Sequence, residues 1–222
     1  MTLNEILARK TALVVIDMQN DYCHPQGSFG KRGTQLVPDV SVTVRNLQRL
    51  AARARESGIP VFFVRTEHGP WSDSPSWLGR LRGIPGVDEL PVCAEASWGA
   101  EFFGVQPQAA DRVVLKHRYS AFVDTPLHLY LRAAGVETIV VGGVVTNVCV
   151  ESTVRDAFMR DYHVVTVSDC CSATSGEEHD AALFNLNRYF GIVSSCDEVL
   201  PHLRRAPGKR PTTSDAGGIT GT

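Results

Sequence analysis

Thr11-Ala12-Leu13-Val14-Val15-Ile16-Asp17 is apolar and largely β-branched up to a closing acid. A strand with one wet face alternates apolar and polar residues; a strand covered on both faces does not. The run therefore predicts a central strand of a parallel sheet. Thr138-Ile139-Val140-Val141-Gly142 has the same character. Further strands are predicted at 59–64, at Arg112-Val113-Val114-Leu115-Lys116 and at 163–168, with Ile192-Val193 as an edge strand. Between them lie helical patterns. Pro38 opens one with Val40, Val44, Leu47, Leu50 and Ala51 at helical spacing, and Gly58 closes it. Residues 125–134 form another, ended by Gly135. Asn147 is read as the N-cap of a helix running to about Arg160, and 177–190 are helical. Strict alternation of strand and helix predicts an α/β fold, a doubly wound and mostly parallel sheet with helices on both faces.

One domain over 1–205 accounts for these elements, and no internal repeat interrupts it. The Gly-, Thr- and Pro-rich segment 206–222 is read as a flexible tail. Residues 67 to about 100 carry four prolines and all three tryptophans with no regular pattern, and such a stretch inside a compact domain points to function.

Composition removes several classes. Twenty-two basic against 24 acidic residues give a net charge of −2 over 222 residues, so there is no electrostatic footprint for nucleic acid. No apolar run has bilayer length, and MTLNEILARK lacks the apolar core of a signal peptide. A cytoplasmic protein with no membrane partner is expected. The six cysteines, Cys23, Cys93, Cys149, Cys170, Cys171 and Cys196, contain no CxxC pair and are read as free thiols in a reducing compartment.

Ligands of open parallel sheets bind beyond the carboxyl ends of the strands. Asp17 and Lys116 end two strands here, and the strand at 138–142 leads within seven residues to Cys149. Taken singly, each has an ordinary explanation: an acid capping a loop, a solvated lysine, a cysteine in an apolar turn. Together they supply a base, a cation and a nucleophile. A thiol in the first turn of a helix beside an ammonium is expected to be drawn toward thiolate.

Other residues carry two readings each. Asn20 and Gln19 orient Asp17 or cap a turn. Tyr119 and Arg118 contact a substrate carbonyl or carboxylate, or they pack and face solvent. Trp71, Trp77 and Trp98 line the pocket, an interface or the core. Cys170 and Cys171 are structural thiols at a strand end or, in a redox alternative, an adjacent disulfide. His179 reads as a packed or capping histidine.

Three blocks, Val15-Ile16-Asp17-Met18-Gln19-Asn20-Asp21, Lys116 with Tyr119-Ser120-Ala121-Phe122, and Gly142-Gly143-Val144-Val145-Thr146-Asn147-Val148-Cys149-Val150-Glu151-Ser152-Thr153, resemble the isochorismatase-like cysteine hydrolases in kind and order over roughly residues 10–200. The resemblance implies a three-layer α/β/α fold, a catalytic triad of Asp17, Lys116 and Cys149, and a non-proline cis peptide at Val144–Val145 that turns the Val145 N–H toward an oxyanion. It implies hydrolysis of a small ureido, carbamoyl or primary amide through a thioester, without a cofactor, by a homo-oligomer (dimer or tetramer). Isochorismatases that cleave a vinyl ether lack the nucleophilic cysteine, and Cys149 favours C–N cleavage. Nicotinamidases carry an Asp-x-His…His metal site after the second strand. The corresponding Arg65-Thr66-Glu67-His68 has a different spacing, so no metal is expected. Ser97-Trp98-Gly99, Lys116-His117-Arg118-Tyr119-Ser120 and residues 146–153 are most similar to ureidoacrylate amidohydrolases, while the middle loop departs from them. A nicotinamidase-like or biuret-type amidase, and a binding protein without catalysis, are the alternatives.

Overall fold

The computed structural model describes residues 1–81 and 92–204. Six strands, β1 (Thr11–Ile16), β2 (Val61–Thr66), β3 (Arg112–Lys116), β4 (Thr138–Val144), β5 (His163–Ser172) and β6 (Ile192–Ser194), form one sheet in the order β3-β2-β1-β4-β5-β6. Every neighbouring pair is parallel. The main helices are α1 (Val40–Glu56), α2 (Leu127–Ala133), α3 (Glu151–Phe158) and α4 (Gly176–Tyr189).

The two sides of β1 show why its sequence is a continuous apolar run. Leu13 and Val15 join a core layer with Leu47, Leu50, Ala51 and Ala54 of α1. Ala12, Val14 and Ile16 face the opposite layer, with Leu127 and Leu131 of α2 and Val154 and Ala157 of α3. Successive strand residues point to opposite faces, and helices cover both. Truncating a fully buried leucine such as Leu50 to alanine costs about 2–5 kcal/mol in a core of this kind.

Chain order reverses between β1 and β4, which opens a crevice beyond their carboxyl ends. There β4 approaches β1 so closely that a Cβ at Gly143 would lie 2.0 Å from the Ile16 carbonyl oxygen. Gly143 has φ 137° and sits where the β4–β5 register shifts, so only glycine suits the position.

Four expectations need revision. Asp39, not Pro38, starts the long helix: its carboxylate accepts from the Ser41 N–H at 2.8 Å, and Pro38 precedes it in a cis Val37–Pro38 bond. Asn147 caps nothing. β4 passes directly into a π-helical turn, Thr146–Val150, that begins at Val145, and Val150 N–H donates back to the Val145 carbonyl at 3.3 Å. The turn thus starts two residues before Asn147, and α3 follows it. β5 is longer than 163–168 and runs to Ser172, because beyond the irregularity it resumes pairing with Gly143 and Val144. That places Cys170 and Cys171 inside a strand. Cys170 faces the α1 layer and Cys171 the α2–α3 layer, and side chains on opposite faces do not form an adjacent disulfide. The 206–222 tail lies outside the described residues, as do residues 82–91 of the irregular middle segment. Among the described residues no helix is long and apolar enough to cross a membrane.

Candidate active site

Asp17 follows β1 in a left-handed conformation, φ 52°, and is fully buried. Aspartate is among the few non-glycine types that tolerate this region. The conformation comes at the point where the chain leaves the sheet, with the Asp17 N–H still donating to Val64 O at 2.9 Å.

Lys116 ends β3, which lies on the far side of β2 from β1. Its side chain therefore crosses the end of β2, and the β2 residue paired with it in register is Thr66. Lys116 Nζ donates to Thr66 Oγ1 at 2.6 Å, and Thr66 Oγ1 donates to Asp17 Oδ1 at 3.0 Å. The ammonium also lies 2.8 Å from Asp17 Oδ2 and donates to Arg118 O at 3.0 Å. From the other side of the crevice, Cys149 Sγ in the π-helical turn stands 3.5 Å from Lys116 Nζ. Asp17, Lys116 and Cys149 thus meet at one point beyond the ends of β1, β3 and β4.

The electrostatics revise the thiolate expectation. Burial pushes the Cys149 thiol up to about 12; Lys116 pulls it down, and the adjacent Asp17 carboxylate raises it again. Desolvation outweighs the ammonium because Cys149 is buried, 6% exposed, and a thiolate there loses its hydration. Burial alone would lower the Lys116 ammonium, but Asp17 and Cys149 together raise it above its ordinary value. The resting site is therefore a thiol beside a lysine–aspartate ion pair.

Two further residues belong to this cluster. Thr66 joins Lys116 to Asp17. Burial raises the Tyr22 hydroxyl well above its ordinary value, and the nearby Cys93, Asp17 and Cys149 add to the rise while Thr66 opposes it. Thr66 had a signal, a polar residue closing an apolar strand as Asp17 and Lys116 do. Tyr22 stands one residue past the first motif block.

The other candidates are dispersed. Gln19 does not reach the Asp17 carboxylate. Its Nε2 donates to Thr66 O and Ala100 O, both at 2.8 Å, and its Oε1 accepts from Thr66 N, so it fixes the end of β2. Asn20 Nδ2 donates to Trp98 O at 2.9 Å and anchors that segment. Trp98 is half-exposed and meets His24 edge-on.

Trp71, Arg118, Glu67, His68, Ser72 and His117 border a cleft of about 380 Å³ beyond β2 and β3. Trp71 is 99% exposed there and supports no core packing. Arg118 Nη1 donates to Ser72 O at 3.0 Å, and its guanidinium lies over Trp77, 4.9 Å from the ring centroid. Tyr119 packs against the same Trp77 ring, with centroids 4.8 Å apart. Glu67 pairs with Arg65 at 2.7 Å and His68 Nδ1 with Asp73 at 2.9 Å. Among the described residues no three His, Cys, Asp or Glu side chains are grouped as metal ligands. His179 is packed, buried on α4, and its Nδ1 also hydrogen-bonds Thr146 Oγ1 at 2.9 Å.

Comparison with known proteins identifies the family. The chain is 35% identical over 221 residues to the ureidoacrylate amidohydrolase RutB of Methylobacterium radiotolerans, covering 94% of this chain and 84% of that one. It is 36% identical over 202 residues to RutB of Pseudomonas syringae pv. syringae, covering 85% and 82%. The cysteine hydrolase from Pseudomonas syringae pv. phaseolicola superposes with a TM-score of 0.75 at 31% identity, over 91% of this chain and 94% of that one. N-carbamoylsarcosine amidase from Thermoplasma acidophilum does so with 0.68 at 30%, over 85% and 97%. The model of the isochorismatase domain matches residues 11–198, and the chain is a member of the isochorismatase family.

Proposed function

We propose that this protein is a cysteine amidohydrolase that cleaves a C–N bond of a small ureido or carbamoyl compound, of the ureidoacrylate or N-carbamoyl type, and releases ammonia. The observation that carries the reading is the contact of Cys149 Sγ with the Lys116 ammonium at 3.5 Å, with Asp17 2.8 Å beyond it. The names of relatives at 30–36% identity that span most of the chain support the same substrate class.

In the proposed mechanism the substrate carbonyl lies over Cys149, its oxygen toward the backbone N–H groups of Val145 and Cys149. The Val144–Val145 peptide is cis. Asp17 accepts the thiol proton as sulfur attacks, and Lys116 balances the charge on sulfur and carboxylate. The thiol is a poor acid at rest, so its proton moves to Asp17 only as the C–S bond forms. A tetrahedral oxyanion results; each backbone donor aimed at it contributes about 2.7–4 kcal/mol. Asp17 then returns the proton to the departing nitrogen. The C–N bond breaks and ammonia or an amine leaves. Asp17 next takes a proton from water, which attacks the thioester and frees the thiol. From a ureido substrate the product is a carbamate, which decomposes to carbon dioxide and an amine or ammonia. General acid–base help of this kind is worth about 10²–10⁴-fold.

Arg118 lines the cleft beyond β2 and β3, its guanidinium held over Trp77, which Tyr119 packs against in turn, and a cation held there suits a substrate carboxylate. All six cysteines are free and buried, which supports a reducing, cytoplasmic setting. Exposed Phe158, Met159, Phe184 and Tyr189 on and after α3 and α4 support a homo-oligomer. The test is ammonia release from a panel of ureidoacrylate, N-carbamoyl amino acids, biuret, nicotinamide and simple primary amides. Turnover of ureido or carbamoyl acids should stand at least tenfold above that of nicotinamide. Preference for nicotinamide, lost reversibly to a chelator, would overturn the proposal.

A further inference from the structure

The turn that carries Cys149 is held from outside the proposed triad. Thr146 is its first residue and is fully buried. A buried hydroxyl without a partner costs about 1–3 kcal/mol, and Thr146 Oγ1 finds its partner in His179 Nδ1, 2.9 Å away on α4. His179 is itself buried, 7% exposed. Burial lowers its pKa, against the opposing pull of neighbouring Asp180. That favours the neutral ring, whose Nδ1 pairs with the Thr146 hydroxyl as acceptor or as donor according to its tautomer.

This bond joins two parts of the fold that the backbone does not otherwise tie at this point. α4 begins at Gly176, capped by Ser175 Oγ on the Glu178 N–H, and packs across the turn. On its other side the turn is tied to the 120–122 segment through α3: Thr153 Oγ1 donates to Cys149 O at 2.7 Å and accepts from Ala121 N–H at 3.0 Å. Thr146 is adjacent to Val145, the donor assigned to the oxyanion, and three residues from Cys149. A shift of Thr146 moves both the donor and the sulfur relative to Lys116 and Asp17, and positional errors near 1 Å are costly in catalysis.

We infer that His179 is a positioning residue, which through Thr146 sets the nucleophile turn against the Asp17–Lys116 pair. The role rests on the proposed cysteine mechanism. His179 touches neither substrate nor the reacting atoms; it acts on where they stand.

The test is a double-mutant cycle with His179→Leu and Thr146→Val, read on kcat for the best substrate of the panel. Each single change should lower kcat about tenfold, the scale of one hydrogen bond, with KM within twofold. The double variant should be no slower than the slower single. His179→Asn, which places an amide able to accept or donate near the position of Nδ1, and Thr146→Ser, which keeps the hydroxyl, should recover to within threefold of wild type. The same cycle is read on the rate at which iodoacetamide labels Cys149. That readout needs no substrate, so a wrong substrate class does not disturb it. Multiplicative effects in the cycle, single effects under twofold, or an Asn variant as slow as the Leu variant while both melt cooperatively would overturn the assignment.

Discussion

Cys149 and Cys171 lie in the same core layer, both buried, and burial pushes both thiols up to about 12. They differ in what surrounds the sulfur. Cys171 sits within β5, opposite Gly143 of β4, among apolar side chains. Cys149 sits where β4 leaves the sheet, 3.5 Å from an ammonium that is itself paired with a carboxylate. Resting acidity therefore does not distinguish the two. What distinguishes them is a route for the proton and a cation to balance the charge that its departure leaves.

The largest effect should come from removing the two thiols one at a time. Cys149→Ala is expected to lower ammonia release by about 10⁴-fold or more, as loss of a nucleophile does in such constellations, while the protein still melts cooperatively. Cys171→Ala should keep activity within about threefold. Equal losses in the two variants would erase the contrast.

Next come the partners that only Cys149 has. Asp17→Asn or Lys116→Met should cut kcat by about 10³-fold or more and also destabilise the fold. Each leaves the other group buried and uncompensated, at about 3–5 kcal/mol, visible as a fall in Tm. A kcat loss with no change in Tm would contradict the buried pair. Thr66→Val, which removes the hydroxyl between the two, should cost about tenfold in kcat.

The smallest effect is a pH dependence. For a thiol raised to about 12 by burial, the thiolate fraction in the free enzyme grows tenfold per pH unit throughout the neutral and mildly alkaline range. Iodoacetamide labelling of Cys149 in the free enzyme should rise accordingly from pH 7 to pH 10 without levelling. A plateau below pH 9 would mean that Lys116 outweighs desolvation, the reverse of the balance at this site.

The same two thiols show how much was legible in the amino acids. Continuous apolar runs at β1 and β4 identified doubly covered strands, and the residues at or just beyond the ends of β1, β3 and β4 pointed to Asp17, Lys116 and the turn with Cys149. Those signals are local in sequence. Thr66 and Tyr22 enter the cluster only because β2 lies between β1 and β3, and strand order is not written in any one strand. The His179–Thr146 bond likewise spans 33 positions. Asn147 was misplaced because a cap rule applies to a helix that starts afresh, whereas this turn continues from β4. The pocket candidates separated for a similar reason. Asn20 and Gln19 follow Asp17 in sequence, yet their side chains serve the backbone of the 98–101 segment and of β2 rather than the carboxylate.

Covalent catalysis at Cys149 is tested most sharply by trapping the bond itself. Wild-type protein turning over ureidoacrylate, or the best ureido or carbamoyl substrate of the panel, is quenched in acid within a turnover and its peptides are mapped by mass spectrometry. An acyl adduct is expected on the peptide containing Cys149, absent from Cys149→Ala and absent from Cys171. Steady turnover by Cys149→Ala at the wild-type rate, with no adduct on any cysteine of the wild type, would contradict a covalent role for this thiol.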